Sequence, residues 1–248
     1  MRLAENGRSL PVFAQQSEQV PAVSAATLAI AGVEFVADPA GAIYWPEQGL
    51  LAVADLHLEK GSSFAERRIL LPPYDTAATL ARLALLIARY APSAVVALGD
   101  SFHDRRGPSR LDDRDRASLT AMQCGRDWIW ITGNHDPDPV EGVGGQFMDV
   151  LRLGAITFRH QPESAAAGEI AGHLHPVARI AGGGRAVSRR CFACDGTRMV
   201  MPAFGSYTGG LNVRNRAFAK VFETLGFTAH MLGERRIYAV AARQCLPD

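Results

Sequence analysis

Three apolar stretches of the chain end in polar residues: residues 50–57 read LLAVADLH, 94–100 read AVVALGD and 127–136 read DWIWITGNHD. Short continuous apolar runs are typical of strands that are buried on both faces of a parallel sheet. Helical spacing at 75–90 and 111–124 separates the three runs, so the order is strand, helix, strand, helix, strand. Because the carboxyl ends of parallel strands meet at one edge of a sheet, the polar residues after the runs are expected to lie together.

The remainder of the chain predicts further short strands, with a hairpin before the first apolar run and a change to short strands and Gly-rich turns after residue 150. Short strands are predicted at Ala29–Val36, Gly41–Trp45, Ala155–His160, Glu169–Ala171, Ala186–Ala193, Met199–Ala203 and Arg236–Ala241. Gly-rich turns separate most of them. We therefore predict an α/β protein with two packed sheets and outer helices. It forms a single domain over residues 27–248, and residues 1–26, which show no period, form a loose or disordered leader.

Composition excludes several classes of protein. The chain has 248 residues, of which 48% are hydrophobic and 21% charged, and this excludes a disordered protein, a collagen-like fibre and a coiled coil. Four cysteines form no disulfide framework, which favours a reducing compartment. We find no apolar run of membrane-spanning length and no secretory signal near the start, so we expect a cytoplasmic protein without membrane contact.

Charge and cysteine placement give weaker signals. Residues 179–248 contain 11 Lys and Arg against 4 Asp and Glu. Such a region can bind a polyanion, although a solvated arginine face without a ligand explains it equally well.

Cys191 and Cys194 resemble half of a zinc knuckle or a redox motif, but no second pair follows and strand alternation places the sulfurs apart. We predict a structural role for both thiols.

Seven candidate metal ligands follow the predicted strands. They are Asp55, His57, Asp100, Asn134, His160, His173 and His175. Carboxylate, imidazole and amide ligands without thiolate suit manganese, iron, zinc or magnesium. Seven ligands are too many for one ion with open positions, and they suit two ions that share a carboxylate and act on a phosphoryl group. Each short motif is common by chance, but their joint occurrence after successive strands is not.

The local geometry of the two paired motifs is also predicted. In Asp55-x-His57 and His173-x-His175, an extended chain would point both side chains to the same face, so that both could bind one ion. Trp128, Trp130 and Phe204 are expected in the core. His103 and the acidic residues near 112–115 are expected to be ordinary loop and surface residues.

These motifs resemble a known family. Asp-x-His, Gly-Asp, Gly-Asn-His-Asp, a lone His and Gly-His-x-His occur in the order of the five motifs of the calcineurin-like binuclear metallophosphoesterases. The flanking sequences VADLHLEKGSSF (53–64), LGDSFHD (98–104), TGNHDP (132–137), GHLHP (172–176) and MPAFGSYTGGLNV (201–213) are similar to the PdeM-like branch, the ligase-associated DNA-damage-response endonucleases. The resemblance implies a four-layer α-β-β-α sandwich.

The resemblance also implies roles for individual residues. One ion would bind Asp55, His57, Asp100 and His175, and the other would bind Asp100, Asn134, His160 and His173, with Asp100 bridging. His135 would act on the phosphate or the leaving oxygen, and Asp104 is the candidate that orients His135. In the basic region, Arg189, Arg190 and Arg214 are candidates for contacts with DNA phosphates.

The function implied is hydrolysis of DNA phosphodiester bonds, with single-stranded DNA and Mn²⁺ favoured, in a DNA repair context. The partners implied are DNA, an Lhr-type helicase and a DNA ligase. One alternative is a phosphatase or phosphodiesterase that acts on nucleotides or other small molecules. Another is a metal-free scaffold that recruits a helicase or a ligase, but all seven ligand positions are filled.

Overall fold

The structure is a computed structural model that describes residues 24–140, 142–163, 167–223 and 225–248. Most of the predicted leader, residues 1–23, lies outside the described residues. Ser24 pairs with Arg236, and the first strand begins at Ala26 rather than near Leu28.

The first sheet contains the three apolar runs. Its strands, in order across the sheet, are β1 (Ala26–Ile30), β2 (Val33–Asp38), β3 (Ala42–Trp45), β4 (Leu50–Val53), β5 (Ala94–Leu98), β6 (Asp127–Ile131) and β7 (Gln146–Met148). Strands β1 to β4 pair antiparallel, and β4 to β7 pair parallel. The carboxyl ends of β4, β5 and β6 therefore meet at one edge, as the sequence predicted.

The α-helices among the described residues all belong to the N-terminal half of the chain. They are α1 (Lys60–Glu66), α2 (Asp75–Tyr90), α3 (Gly107–Arg110) and α4 (Asp113–Gln123). Leu80 and Leu83 of α2 pack with Leu51 and Val95 on the outer face of the first sheet. The Asp112 carboxylate caps α4 by accepting the N–H of Asp115 at 2.7 Å. None of the described helices is long and apolar enough to cross a membrane.

The second sheet is formed by the remaining strands. They are β8 (Val150–Leu153), β9 (Ile156–Arg159), β10 (Glu169–Ala171), β11 (Pro176–Gly182), β12 (Arg185–Cys194), β13 (Met199–Val200), β14 (Leu211–Asn212), β15 (Thr228–Leu232) and β16 (Ile237–Ala241). The order is β14-β11-β12-β13-β10-β9-β8, and β15 and β16 extend from β12. Parallel pairing of β9, β10 and β13 brings a second set of strand ends to the same place.

The main core lies between the two sheets. Phe158, Ile170 and Phe192 of the second sheet are buried with Ala52 and Leu98 of the first sheet in a single cluster. Trp128, Trp130 and Phe204 are buried in the cluster beneath the helices, as predicted. The prediction of two packed sheets is therefore confirmed.

The two cysteines of the Cys-x-x-Cys motif lie on opposite faces of β12. Cys194 belongs to the core between the sheets, whereas Cys191 belongs to the cluster on the outer face of the second sheet. Burial raises the pKa of the Cys194 thiol to about 11 and raises that of Cys191 as well. Both thiols are therefore protonated at neutral pH and pack as small apolar groups.

The outer face of the second sheet is covered without a long helix. Between β14 and β15 the described residues form only a short 3-10 turn, Phe218–Lys220. The rings of Phe222 and Phe227 stack 4.4 Å apart and, with Phe218, bury Ala193 and Val200. The fourth layer of the sandwich is therefore an aromatic cover rather than a helix like those on the first sheet.

The packing between the sheets predicts a large stability effect at Phe158. Its side chain is 0% exposed, and Phe158→Ala should lower the free energy of unfolding by about 3–5 kcal/mol because it leaves a cavity between the sheets. The matched control is Tyr238→Ala on β16, whose side chain is 47% exposed and whose loss should cost within about 0.5 kcal/mol. Urea unfolding measures both variants, and equal small losses would contradict this packing.

Candidate metal centre

All seven predicted ligands lie where the two sheets meet. From the first sheet, Asp55 follows β4, Asp100 follows β5 and Asn134 follows β6. From the second sheet, His160 follows β9 and His173 follows β10. The Asp55 carboxylate accepts the backbone N–H of His173 at 3.0 Å, which ties the two sheet edges together at the site.

One group of ligands consists of Asp55, His57 and His175, whose donor atoms all lie within 4.8 Å of one another. The His175 Nε2 is 3.2 Å from the Asp55 Oδ1. The same nitrogen is 3.4 Å from the Nε2 of His57. Both carboxylate and imidazole atoms therefore converge on one small volume.

The second group consists of Asp100, His160 and His173, with Asn134 beside it. The His160 Nε2 lies 3.4 Å from the Asp100 Oδ1 and 3.0 Å from the Asn134 Oδ1. It also lies 3.2 Å from the Nδ1 of His173. The Nδ1 of His160 is 3.0 Å from the Leu98 carbonyl, so a proton on that nitrogen donates to the backbone and leaves Nε2 directed at the other ligands.

Asp100 contacts both groups. Its Oδ1 lies near His160, and its Oδ2 is 3.9 Å from the His57 Nε2. The backbone N–H of His135 donates to the Oδ1 at 2.9 Å, which fixes the carboxylate. The hydrogen bond and charge of His160 hold the pKa of Asp100 well below its usual range, against the opposing effect of burial.

The pKa values of His57 and His160 are shifted in opposite directions. Burial lowers the pKa of His57 to about 3, although the Asp100 charge opposes this. Burial also acts to lower the pKa of His160, but its hydrogen bond with Asp100 and the charges of Asp55 and Asp100 raise it to about 9. His57 is thus held neutral as a metal ligand must be, and His160 faces acceptors that attract a proton or a cation.

The backbone at the ligands is left-handed rather than extended. The φ angles are +53° at Asp55, +44° at His57, +69° at His173 and +44° at His175. The expectation that an extended chain aligns these pairs is therefore wrong. Non-glycine residues rarely occupy this region, and they do so where the surrounding structure enforces it, most often at functional sites.

His135 is positioned by a backbone carbonyl. Its Nδ1 lies 2.6 Å from the carbonyl oxygen of His103, and its Nε2 lies 3.9 Å from the Oδ2 of Asp100. The Asp104 carboxylate instead accepts hydrogen bonds from the Arg110 guanidinium at 2.8 Å and from the Arg106 N–H at 2.9 Å. Among the described contacts, the group that orients His135 is thus the His103 carbonyl, and Asp104 anchors the loop through Arg110.

The fold is similar to that of a nuclease of known structure. The structure is similar to the crystal structure of Pseudomonas putida nuclease MPE, with a TM-score of 0.68 and 27% sequence identity over 88% of this chain and 100% of that chain. The chain is a hydrolytic enzyme of the metallophosphoesterase type. Yfce, a phosphoesterase from E. coli, matches over 78% of this chain and 98% of that chain, but its TM-score of 0.38 and identity of 14% are too low to support a conclusion. No protein-family model and no curated protein matches the chain.

The arginines predicted to bind substrate have different surroundings in this metallophosphoesterase. The Arg190 guanidinium is largely buried and donates to the carbonyls of Ala203 and Gly205 at 3.0 and 2.9 Å. Arg214 donates to the Cys245 carbonyl at 3.0 Å and so holds the C-terminal segment. Arg189 is exposed and donates only to the adjacent carbonyl of Ser188 among its described contacts. Arg214 is exposed as well, but of the three only Arg189 has no described hydrogen bond to a residue distant in the chain.

Two residues at the site of this metallophosphoesterase were not singled out by sequence reasoning. His103 was expected to be an ordinary loop residue, but its ring lies 5.5 Å from that of His57 and 5.3 Å from that of His135. Asp136 is buried and accepts the N–H groups of Ser101 and Phe102 at 2.7 and 3.0 Å, so it holds the Asp100 loop. Both residues lie in LGDSFHD and TGNHDP, close in sequence to the predicted ligands, and this proximity could have identified them as site residues.

Gly99 offers a direct test of the placement of His160. It has a φ of +72°, and a Cβ there would lie 2.4 Å from the His160 Cγ. Gly99→Ala should displace His160 and lower the manganese that the protein retains after dialysis by about half, because one ligand group is disrupted while the other remains.

Gly125 provides a matched control. It has nearly the same φ, +73°, but a Cβ there meets nothing within 4 Å. Gly125→Ala carries the same backbone strain and should retain the wild-type metal content, as measured by elemental analysis. Equal metal content in the two variants would mean that His160 is not a ligand.

Proposed function

We propose that this metallophosphoesterase is a nuclease that binds two divalent ions, Mn²⁺ foremost, and hydrolyses phosphodiester bonds of single-stranded DNA. The observation that carries the proposal is the contact of the Asp100 carboxylate with both ligand groups. Its two oxygens face His57 on one side and His160 on the other. A shared carboxylate between two imidazole-rich groups is the arrangement that binuclear phosphoryl-transfer sites use.

The donor atoms fit divalent cations. The Nε2 atoms of His57 and His175 are 3.4 Å apart and both lie beside acidic oxygens, so their lone pairs require a proton or a cation between them. The same holds around the Nε2 of His160, which faces Asn134 and Asp100. Imidazole, carboxylate and amide donors without thiolate favour ions of intermediate softness, Mn²⁺ among them. The ions would supply Lewis acidity to the phosphoryl group.

His135 is the residue we assign to proton transfer. The hydrogen bond between its Nδ1 and the His103 carbonyl leaves Nε2 as the nitrogen directed at the centre. Its side chain is 39% exposed, so substrate can reach it. In the proposed reaction, water attacks phosphorus and releases one proton to solvent, and the bond between phosphorus and the leaving oxygen breaks. His135, protonated on both nitrogens, passes its Nε2 proton to that oxygen and keeps the Nδ1 proton on the His103 carbonyl. The His103 carbonyl keeps the ring oriented throughout.

Helix α1 supplies a basic and aromatic surface beside the site. Its Phe64 ring lies 5.7 Å from the ring of His103. The Lys60 ammonium is 5.8 Å and the Arg67 guanidinium 6.0 Å from the Phe64 ring centre. Cationic groups around an aromatic ring are suited to single-stranded nucleic acid, because phosphates bind the cations while bases stack on the ring. We propose this surface, together with Arg189, as a DNA contact, and Arg214, whose guanidinium is engaged by the C-terminal segment, is left out of it.

The proposed biological role rests on the similarity of this chain to other proteins. The similarity to Pseudomonas putida nuclease MPE supports action on nucleic acid. The resemblance to the PdeM-like branch supports a role in DNA repair in the cytoplasm, with an Lhr-type helicase and a DNA ligase as partners. The filled ligand positions favour an enzyme over a scaffold, since a scaffold would not need to keep them.

The proposed activity is tested with metal-stripped protein reloaded with Mn²⁺, Mg²⁺, Zn²⁺ or Ca²⁺. Labelled single-stranded DNA should be cleaved with Mn²⁺, and double-stranded DNA more slowly because its bases cannot reach the α1 surface. Asp100→Ala serves as the inactive control for contaminating nucleases. Hydrolysis of a cyclic nucleotide with no cleavage of single-stranded DNA would instead support a small-molecule phosphodiesterase.

Loss of His135 should lower turnover without loss of metal. His135→Ala should reduce DNA cleavage by about 10²–10⁴-fold, the scale of general acid catalysis, while the metal content and melting temperature stay unchanged. The loss should be much smaller with a nitrophenyl ester, whose leaving group needs little protonation. Equal losses with DNA and with the nitrophenyl ester would contradict proton transfer by His135.

A further inference from the structure

A second cationic site lies beside the metal centre. Arg82 of α2 places its guanidinium carbon 4.3 Å from the centre of the Phe204 ring. Its Nε and Nη2 are buried and have no hydrogen-bond partner among the described residues. Burial, and to a smaller extent the nearby charge of Arg190, lowers the pKa of Arg82 to about 10. Burying a guanidinium without an acidic partner lowers the stability of the folded protein. An anionic ligand that hydrogen-bonds to these nitrogens would remove that penalty.

Arg190 is held next to Arg82 by the backbone. It donates to the carbonyls of Ala203 and Gly205 and, at 3.3 Å, to that of Thr208. These contacts are with neutral carbonyls, so the positive charge of Arg190 is not neutralised by them. Two guanidinium groups that repel each other are therefore fixed side by side, an arrangement that an anion between them would stabilise.

The two arginines line a cavity of about 560 Å³ that is also lined by Arg89 and Arg189. Its acidic residues are Asp38 and Glu234. The Asp38 carboxylate is occupied, because it accepts hydrogen bonds from the Arg89 guanidinium and, at 2.8 Å, from the Tyr90 hydroxyl. Glu234 is exposed. The cavity therefore carries more positive than negative charge, and its volume exceeds that of a phosphate group.

A short segment connects this cavity to the metal centre. The N–H of Phe204 donates to the Ala54 carbonyl at 2.7 Å, and the N–H of Gly205 donates to the carbonyl of Asp55 at 3.0 Å. The same segment carries the ring under Arg82 and the carbonyls that hold Arg190. The cationic cavity is thus one backbone segment away from a metal ligand.

We propose that Arg82 and Arg190 form an anion subsite that binds a backbone phosphate of the substrate other than the scissile one. This rests on the proposed function, since a nucleic acid strand carries further phosphates at a regular spacing on either side of the scissile one. Paired guanidinium groups bind phosphate oxygens with two parallel hydrogen bonds each, which gives orientation as well as affinity. The subsite would place the strand across the metal centre and favour oligonucleotides over single esters.

The first experiment tests the subsite independently of any activity on DNA. Sodium sulfate, an anion with the shape of phosphate, is added to the manganese-loaded protein at constant ionic strength. A sulfate concentration of about ten times the dissociation constant should raise the melting temperature by about 3–6 °C. The rise should be lost in Arg82→Gln and kept in Arg114→Gln, which removes an exposed charge from α4. The same rise in both variants would overturn the subsite.

The second experiment identifies the anion as a substrate phosphate. Cleavage of a thymidine dinucleotide is compared with that of a hexanucleotide, which carries additional phosphates. The ratio of kcat/KM for the hexanucleotide to that for the dinucleotide should fall about five- to tenfold in Arg82→Gln, the effect of one charged hydrogen-bonding contact. In Arg114→Gln the ratio should match the wild type.

The two experiments separate the possible failures. A sulfate effect that depends on Arg82 together with an unchanged ratio would mean that the subsite binds a free anion, which would overturn the assignment to a substrate phosphate. If the wild-type protein cleaves neither oligonucleotide, the proposed function fails, and the sulfate experiment still decides whether the anion site exists. A lower melting temperature of Arg82→Gln without any sulfate dependence would make Arg82 a packing residue for Phe204.

Discussion

The site depends on the carboxylate of Asp100 and on the space in which it is held. The His135 N–H fixes one oxygen at 2.9 Å, and the two oxygens reach one ligand group each. Gly133 leaves room for this arrangement, because a Cβ there would lie 2.2 Å from the Asp100 nitrogen and 2.3 Å from its Oδ1. Asp136 then holds the loop that follows Asp100 through the N–H groups of Ser101 and Phe102. Every other part of the centre is arranged around this carboxylate.

Backbone strain is concentrated at the ligands. The φ of Asp100 is +46°, and four further ligands, Asp55, His57, His173 and His175, also have positive φ angles. Left-handed backbone costs about 1–3 kcal/mol at such residues. The rigid strands on either side and the hydrogen bonds between the two sheet edges hold the chain in this state. In return, seven candidate ligands from five separate segments are already brought together at one place.

Much of the fold and most of the site could be predicted from the sequence, for a physical reason. The apolar runs before Asp55, Asp100 and Asn134 identify buried parallel strands, and the topology of such strands brings their ends together. The strands β7, β8, β11, β14 and β15 were not predicted, and β7 and β14, with three and two residues, are too short for a period to show. The missing second helical layer depends on how Phe218, Phe222 and Phe227 pack, which no local pattern reveals.

The hydrogen-bond partners of individual side chains could not be predicted from the sequence. Arg190 was a candidate DNA contact because it lies in the basic region of the sequence. In the structure its guanidinium donates to carbonyls of residues 203–208, which no sequence pattern indicates. Asp104 lies at the right spacing to orient His135, but Arg110 competes for its carboxylate. Such choices between partners depend on tertiary geometry. The exposure of Arg189 and the proximity of α1 to His103 likewise became visible only in the folded structure.

The central claim is that Asp100 joins two metal ions. The most direct measurement is a manganese titration followed by electron paramagnetic resonance and elemental analysis, on the wild type, on Asp100→Asn and on Asp136→Asn. The wild type should bind two manganese ions per chain and show the signal of a coupled pair. Asp136→Asn should keep that pair, because Asp136 only holds the loop. Asp100→Asn should bind at most one ion per chain with no coupling, whereas a coupled pair in Asp100→Asn would contradict the account.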